Sequence, residues 1–166
     1  MIPELLPENP VAAVALASLT PGLEPRYALL IGLGLGLGLP ETLALSAAGV
    51  LVLALLLYTA IGTVDGLMEA LCRRRGSRAN PGCLYLALRS SAARRAGGYV
   101  ERYGWAGLIL FIAIPLPATG MYSGALAAAL LGIRDPRLLA SLLAGGYLSL
   151  AITALVGGGV SIVSTW

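Results

Sequence analysis

The sequence contains no histidine and no lysine, and only 11% of its 166 residues are charged. Without histidine there can be no imidazole metal ligand, no histidine general base and no histidine proton relay. A soluble domain of this size carries about 25% charged residues, so the low charge excludes most soluble folds, a disordered tail and a nucleic-acid-binding module. Cysteine is scarce as well. Cys72 and Cys83 are too few for a disulfide scaffold. Ten positions separate them, which is not a metal-binding spacing, and they are expected to be unpaired thiols. No nucleophile–base arrangement is visible and no cofactor or metal is implied, so an enzyme is the least expected class. Glu4 and Glu8 precede any basic residue, which argues against a cleaved signal peptide.

What the sequence has in abundance is apolar residues, at 58%, with a mean hydropathy of +0.87. The expected class is therefore an all-α integral membrane protein with a single membrane domain over 1–166. Two stretches, 42–64 and 138–160, each run 23 positions without a charge. At 1.5 Å per residue each reaches about 34 Å, enough to cross a ~30 Å hydrocarbon layer.

Two further apolar regions are interrupted. The region 11–39 is broken by Thr20-Pro21-Gly22-Leu23-Glu24-Pro25-Arg26, and the region 104–133 by Pro115-Leu116-Pro117-Ala118-Thr119-Gly120. The four flanking pieces hold 10, 13, 11 and 13 residues, about 15 to 20 Å each as helix, too short to span alone. Proline removes backbone donors and forces a bend. Each region thus reads either as one broken span or as a hairpin that returns to its own side.

Arginine placement favours hairpins. The stretch from Asp65 to Arg102 holds eight Arg against three acids, which marks 65–103 as a cytoplasmic basic loop. A hairpin at 104–133 returns Arg134 and Arg137 to the cytoplasm, and one at 11–39 leaves Glu4, Glu8 and Glu41 outside. The expected fold is then an inverted repeat of a re-entrant helical hairpin plus a transmembrane helix. Paired Gly/Pro breaks at matching positions in two halves point to a transporter's midplane site. The part of the loop around Tyr85 to Arg102 is expected to form a helix on the anionic inner leaflet. Asp65 and Glu69 read as a solvated helix end.

Glu24 and Arg26 lie inside otherwise apolar sequence. A charge near the bilayer centre costs upward of about 2.5 kcal/mol unless it is paired or lines a watered cavity. The pair therefore either neutralises itself at a turn or lines a pathway. The helices beginning near Tyr27 and Met121 would aim their N-termini at the membrane interior. With Arg26 and the hydroxyls of Thr119, Tyr122 and Ser123, these ends would suit a phosphate or carboxylate, while Glu24 could take up and release a proton. The expected pathway residues are Glu24, Pro25, Arg26, Pro115, Pro117, Thr119, Gly120, Tyr122 and Ser123. The GxxxG spacings at Gly32–Gly36, Gly34–Gly38 and Gly120–Gly124 read as close helix packing.

The segments Leu19 to Ala28, LTPGLEPRYA, and Glu101 to Gly132, ERYGWAGLILFIAIPLPATGMYSGALAAALLG, resemble the small multi-drug export protein family. This is a group of prokaryotic membrane proteins related to the DedA superfamily. The resemblance implies re-entrant hairpins packed on spanning helices and a transport-like role. Relatives in the wider superfamily are linked to moving lipids and polyprenyl phosphates between leaflets.

The expected function is a transporter or flippase in the cell membrane that moves an anionic amphiphile, with proton coupling through Glu24. One alternative is a small-molecule, multi-drug exporter. The other is a structural or assembly subunit without transport. The expected partners are the lipid bilayer, an amphiphilic or anionic substrate and a second copy in a homodimer, with no nucleic acid.

Overall fold

The computed structural model describes residues 9–74, 81–114, 120–131, 133 and 136–163. Regular structure among them is helical throughout: α1 (Pro10–Leu19), α2 (Glu24–Gly34), α3 (Leu39–Arg74), α4 (Pro81–Ala113), α5 (Met121–Leu131) and α6 (Pro136–Val163). The two uninterrupted stretches lie inside α3 and α6, and both helices are long and apolar enough to cross a membrane. Their outer faces leave Leu51, Leu55, Leu56, Leu148, Leu155 and Val156 exposed. Water would reject so large an apolar surface, whereas lipid accepts it.

The short helices follow local rules. Asn9 caps α1 by accepting from the Val11 amide at 3.0 Å, and Pro10 fills the first helical position, where no amide is needed. α2 stops after Gly34 because Gly36 adopts φ +86°, a left-handed conformation that costs glycine little. The Leu37 amide then bonds back to the Gly32 carbonyl at 3.0 Å. α1 and α2 fold against one another around Val14, Ala17 and Ala28, all fully buried. They dock on α3 where small residues let backbones approach. A Cβ on Gly32 of α2 would strike the Thr42 side chain of α3, 3.3 Å from its Oγ1, and one on Gly49 of α3 would lie 2.6 Å from Ser18 Cβ of α1.

The second half is held by Ile112, the last buried isoleucine of α4. It is fully buried, and α5 and α6 each present a glycine to it. A Cβ on Gly145 would lie 2.7 Å from Ile112 Cβ and 3.0 Å from the Ile109 carbonyl oxygen.

The structure departs from the sequence reading over 65–103. α3 continues through Asp65 to Arg74, and α4 runs unbroken from Pro81 for 33 residues. The stretch from Gly104 to Ala113 is therefore the end of a long helix. Leu67, Met68, Glu69, Ala70 and Leu71 are strong helix formers that carry α3 onward, and a single glycine such as Gly104 costs a helix only about 1 kcal/mol.

The two cysteines, expected free, are joined in a disulfide with Cα atoms 4.8 Å apart. α3 and α4 return alongside one another, and Gly82 brings them together: a Cβ there would lie 2.9 Å from the Cys72 nitrogen. Asp65, expected solvated, is 1% exposed and accepts from Tyr85 Oη at 2.7 Å. Glu69 remains on the surface and pairs with Arg73 one turn on, at 4.0 Å.

Adding a methyl at Gly145 strikes backbone as well as side chain. Gly145→Ala should therefore lower stability by about 1–3 kcal/mol, the usual cost of overpacking. Gly62→Ala, with nothing within 4 Å of the added carbon, should instead raise it by up to about 1 kcal/mol, the helix-propensity gain. Thermal unfolding of the purified protein in lipid nanodiscs compares the two.

Candidate functional site: a buried ion pair joining two helix breaks

The chain turns sharply between α1 and α2. The Leu23 and Glu24 amides both bond to the Thr20 carbonyl, at 3.1 and 3.2 Å. Pro25 disfavours the right-handed helical region at Glu24, and Glu24 takes φ +56°. For a residue with a side chain, that conformation costs about 1–2 kcal/mol. From this turn the Glu24 side chain reaches the start of α5.

Glu24 and Arg26 are 7% and 5% exposed, so both charges are buried within the protein. Arg26 Nη2 lies 3.6 Å from Glu24 Oε2, and the guanidinium sits 5.0 Å over the Tyr27 ring. Each charge also reaches the opposite half of the chain. Arg26 Nη1 donates to the Ile114 carbonyl oxygen at 3.2 Å, just beyond the C-terminal end of α4. Glu24 Oε1 accepts from the Tyr122 amide at 3.3 Å, in the first turn of α5. A cation at a helix C-terminus and an anion at a helix N-terminus are both favoured by the peptide dipoles. The pair therefore matches the two helix ends that flank the second break.

Gly120 makes this contact possible. The carboxylate packs so closely on it that an added Cβ would lie 2.6 Å from Oε1 and 2.7 Å from Cδ. Tyr122 adds a third link, since its hydroxyl donates to the Leu19 carbonyl at the end of α1.

Of the expected pathway residues, Glu24, Pro25, Arg26, Gly120 and Tyr122 are brought together. Ser123 is not part of the contact: its hydroxyl donates to the Gly120 carbonyl at 3.2 Å within its own turn. Pro115, Pro117 and Thr119 lie outside the described residues. The N-terminus of α5 departs from expectation in one respect. The amide that an incoming anion would use is already bonded to Glu24, so the protein's own carboxylate fills that position.

Beside the pair lies a cavity of about 10 Å³, room for a single water, lined by Val50, Ile112, Met121, Gly146 and Ser149. These residues were not singled out from the sequence. The available signal was Gly146 and Ser149, one turn apart on the same face of a spanning helix. Among the described residues, no cluster of Cys, Asp or Glu is placed to hold a metal ion.

Long apolar helices and a buried ion pair that closes two helix breaks define an integral membrane protein with a polar centre. The family described as "Putative small multi-drug export protein" matches residues 24–152, and the chain belongs to it. The match begins at Glu24, inside the first break, takes in α3 and the second break, and ends within α6. No curated protein matches the chain, and no solved structure does.

Removing one partner leaves the other charge buried alone, which costs about 3–5 kcal/mol. Glu24→Ala and Arg26→Ala should each destabilise the protein by that order. The double variant should cost clearly less than the two together, by about 1 kcal/mol or more. Denaturant titration of all four proteins in one detergent measures the coupling, and strict additivity would mean that the pair contributes nothing as a pair.

Proposed function

We propose that this protein is a membrane carrier that exports small lipophilic molecules in exchange for protons, with Glu24 as the coupling group. The observation that supports this reading is the double engagement of one carboxylate. Glu24 holds Arg26 and, in the other half of the chain, the Tyr122 amide. Protonating it weakens both attachments at once, and with them the tie between the two breaks. The cavity beside the pair, about 10 Å³, has room for water and none for an organic substrate. Export requires the breaks to part. The name of the family supports small-molecule export over the narrower reading of a lipid flippase.

In this proposal the protein lies in the plasma membrane with the basic stretch from Asp65 to Arg102 in the cytoplasm. The regions 11–39 and 104–133 enter as hairpins from opposite faces, in an inverted repeat. Disulfides persist mainly in oxidising compartments, so the Cys72–Cys83 bridge argues for the other side. Charge bias takes precedence because it acts during insertion, before thiols are oxidised.

A second reading, export of an anionic amphiphile such as a lipid phosphate, rests on the same atoms. With Glu24 neutral, Arg26 and the α5 N-terminus give the site a net positive charge.

Reconstituted in liposomes under an imposed pH gradient, the wild-type protein should move a lipophilic cationic dye at a rate set by that gradient. Glu24→Gln should abolish the pH dependence. Faster movement of an anionic dye would select the second reading. The absence of any gradient-driven flux from the wild type would overturn both and leave a structural subunit.

A further inference from the structure

Ser149 sits on α6, against the cavity that the charged pair lines. It is 4% exposed, and its hydroxyl finds no hydrogen-bond partner among the described residues. Its carbonyl is engaged, accepting from Thr153 Oγ1 at 2.9 Å. Buried hydroxyls in native proteins are almost always satisfied, by protein or by ordered water.

Physical chemistry narrows the occupant. At about 10 Å³ the cavity takes one water and nothing larger. A bare sodium ion would gain the Glu24 carboxylate but meet the Arg26 guanidinium, which lies 3.6 Å from it. Chloride would gain Arg26 and meet Glu24. A neutral molecule that both donates and accepts suits a hydroxyl, a carboxylate and a guanidinium together.

We propose that this cavity binds a single water, hydrogen-bonded to Ser149 Oγ and to the Glu24 carboxylate, and that this water hands the coupling proton to Glu24. In the transfer one O–H bond forms on the carboxylate and one breaks on the water. A proton arriving from the aqueous phase restores the water, so no hydroxide is left behind. Ser149 is a positioning residue that holds the water's orientation without itself changing protonation. The water site stands on the cavity and on Ser149 alone, whereas the proton transfer rests on the exporter reading.

Infrared difference spectroscopy of the membrane-reconstituted protein, stepped from high to low pH, tests both parts. Glu24→Gln identifies the Glu24 carboxyl band by its loss. The wild type should show an O–H stretch that moves when the medium is exchanged for H2(18)O and that changes together with that carboxyl band. Ser149→Ala should lose the isotope-sensitive stretch and keep the carboxyl band at a shifted frequency. Ser149→Cys, a near-isosteric replacement with a weak donor, should weaken the stretch and serves if the alanine variant does not fold. A wild-type spectrum without an isotope-sensitive stretch overturns the proposal, as does an unchanged stretch in both Ser149 variants. A stretch that ignores the carboxyl band overturns the transfer and keeps the site. None of these readouts needs transport, so they fail or succeed separately from the dye-flux experiment.

Discussion

An apolar interior cannot solvate a charge or an open helix end, and in this protein those two problems meet at one place. The break after α1 puts Glu24 and Arg26 in the interior, and the break after α4 leaves a carbonyl at Ile114 and an amide at Tyr122 there too. Each would be costly alone. Together they cancel: the guanidinium takes the carbonyl, the carboxylate takes the amide, and the two charges face one another at 3.6 Å. The left-handed backbone at Glu24 is the local strain that this arrangement tolerates. The same economy makes the site sensitive, because a change of charge on one carboxylate disturbs both helix ends together.

The helices around this centre are placed by the absence of side chains. Gly120 lets the carboxylate lie on the backbone at the second break, Gly49 seats the first turn against α3, and Gly145 admits Ile112 to the face of α6. Where association cannot draw on a difference in hydrophobicity between lipid and protein, close van der Waals approach does much of the work. Tyr122 joins the halves a second time through its hydroxyl and the Leu19 carbonyl. The broken segments are thus fixed to each other at their tips.

Much of this was legible in the sequence, and what was not has physical reasons. Two charges in an apolar region, matched proline breaks and two charge-free runs of 23 residues are one-dimensional signals, and they pointed to the helices and to the Glu24–Arg26 centre. The continuity of α4 was hidden because an arginine-rich helix and an arginine-rich loop have similar composition. The Cys72–Cys83 and Asp65–Tyr85 contacts depend on how α3 and α4 return alongside one another at Gly82, which spacing does not encode. The sequence marks the start of α5 as a positive helix end open to an anion. That the protein's own carboxylate would fill it follows only from the left-handed turn at Glu24. Ser149 is one of several hydroxyl residues in the spans, and only its place beside the charged pair sets it apart.

The claim beneath the whole account is that Glu24 touches the start of α5. Solid-state NMR of the protein in lipid bilayers, with 13C at the Glu24 side-chain carboxyl and 15N at the Tyr122 amide, measures that contact. The account predicts a weak but resolved 13C–15N dipolar coupling, as the Oε1–N contact of 3.3 Å requires, and loss of that signal in Gly120→Val. A Glu24 carboxyl with no coupling to Tyr122, exchanging freely with bulk water, would contradict it.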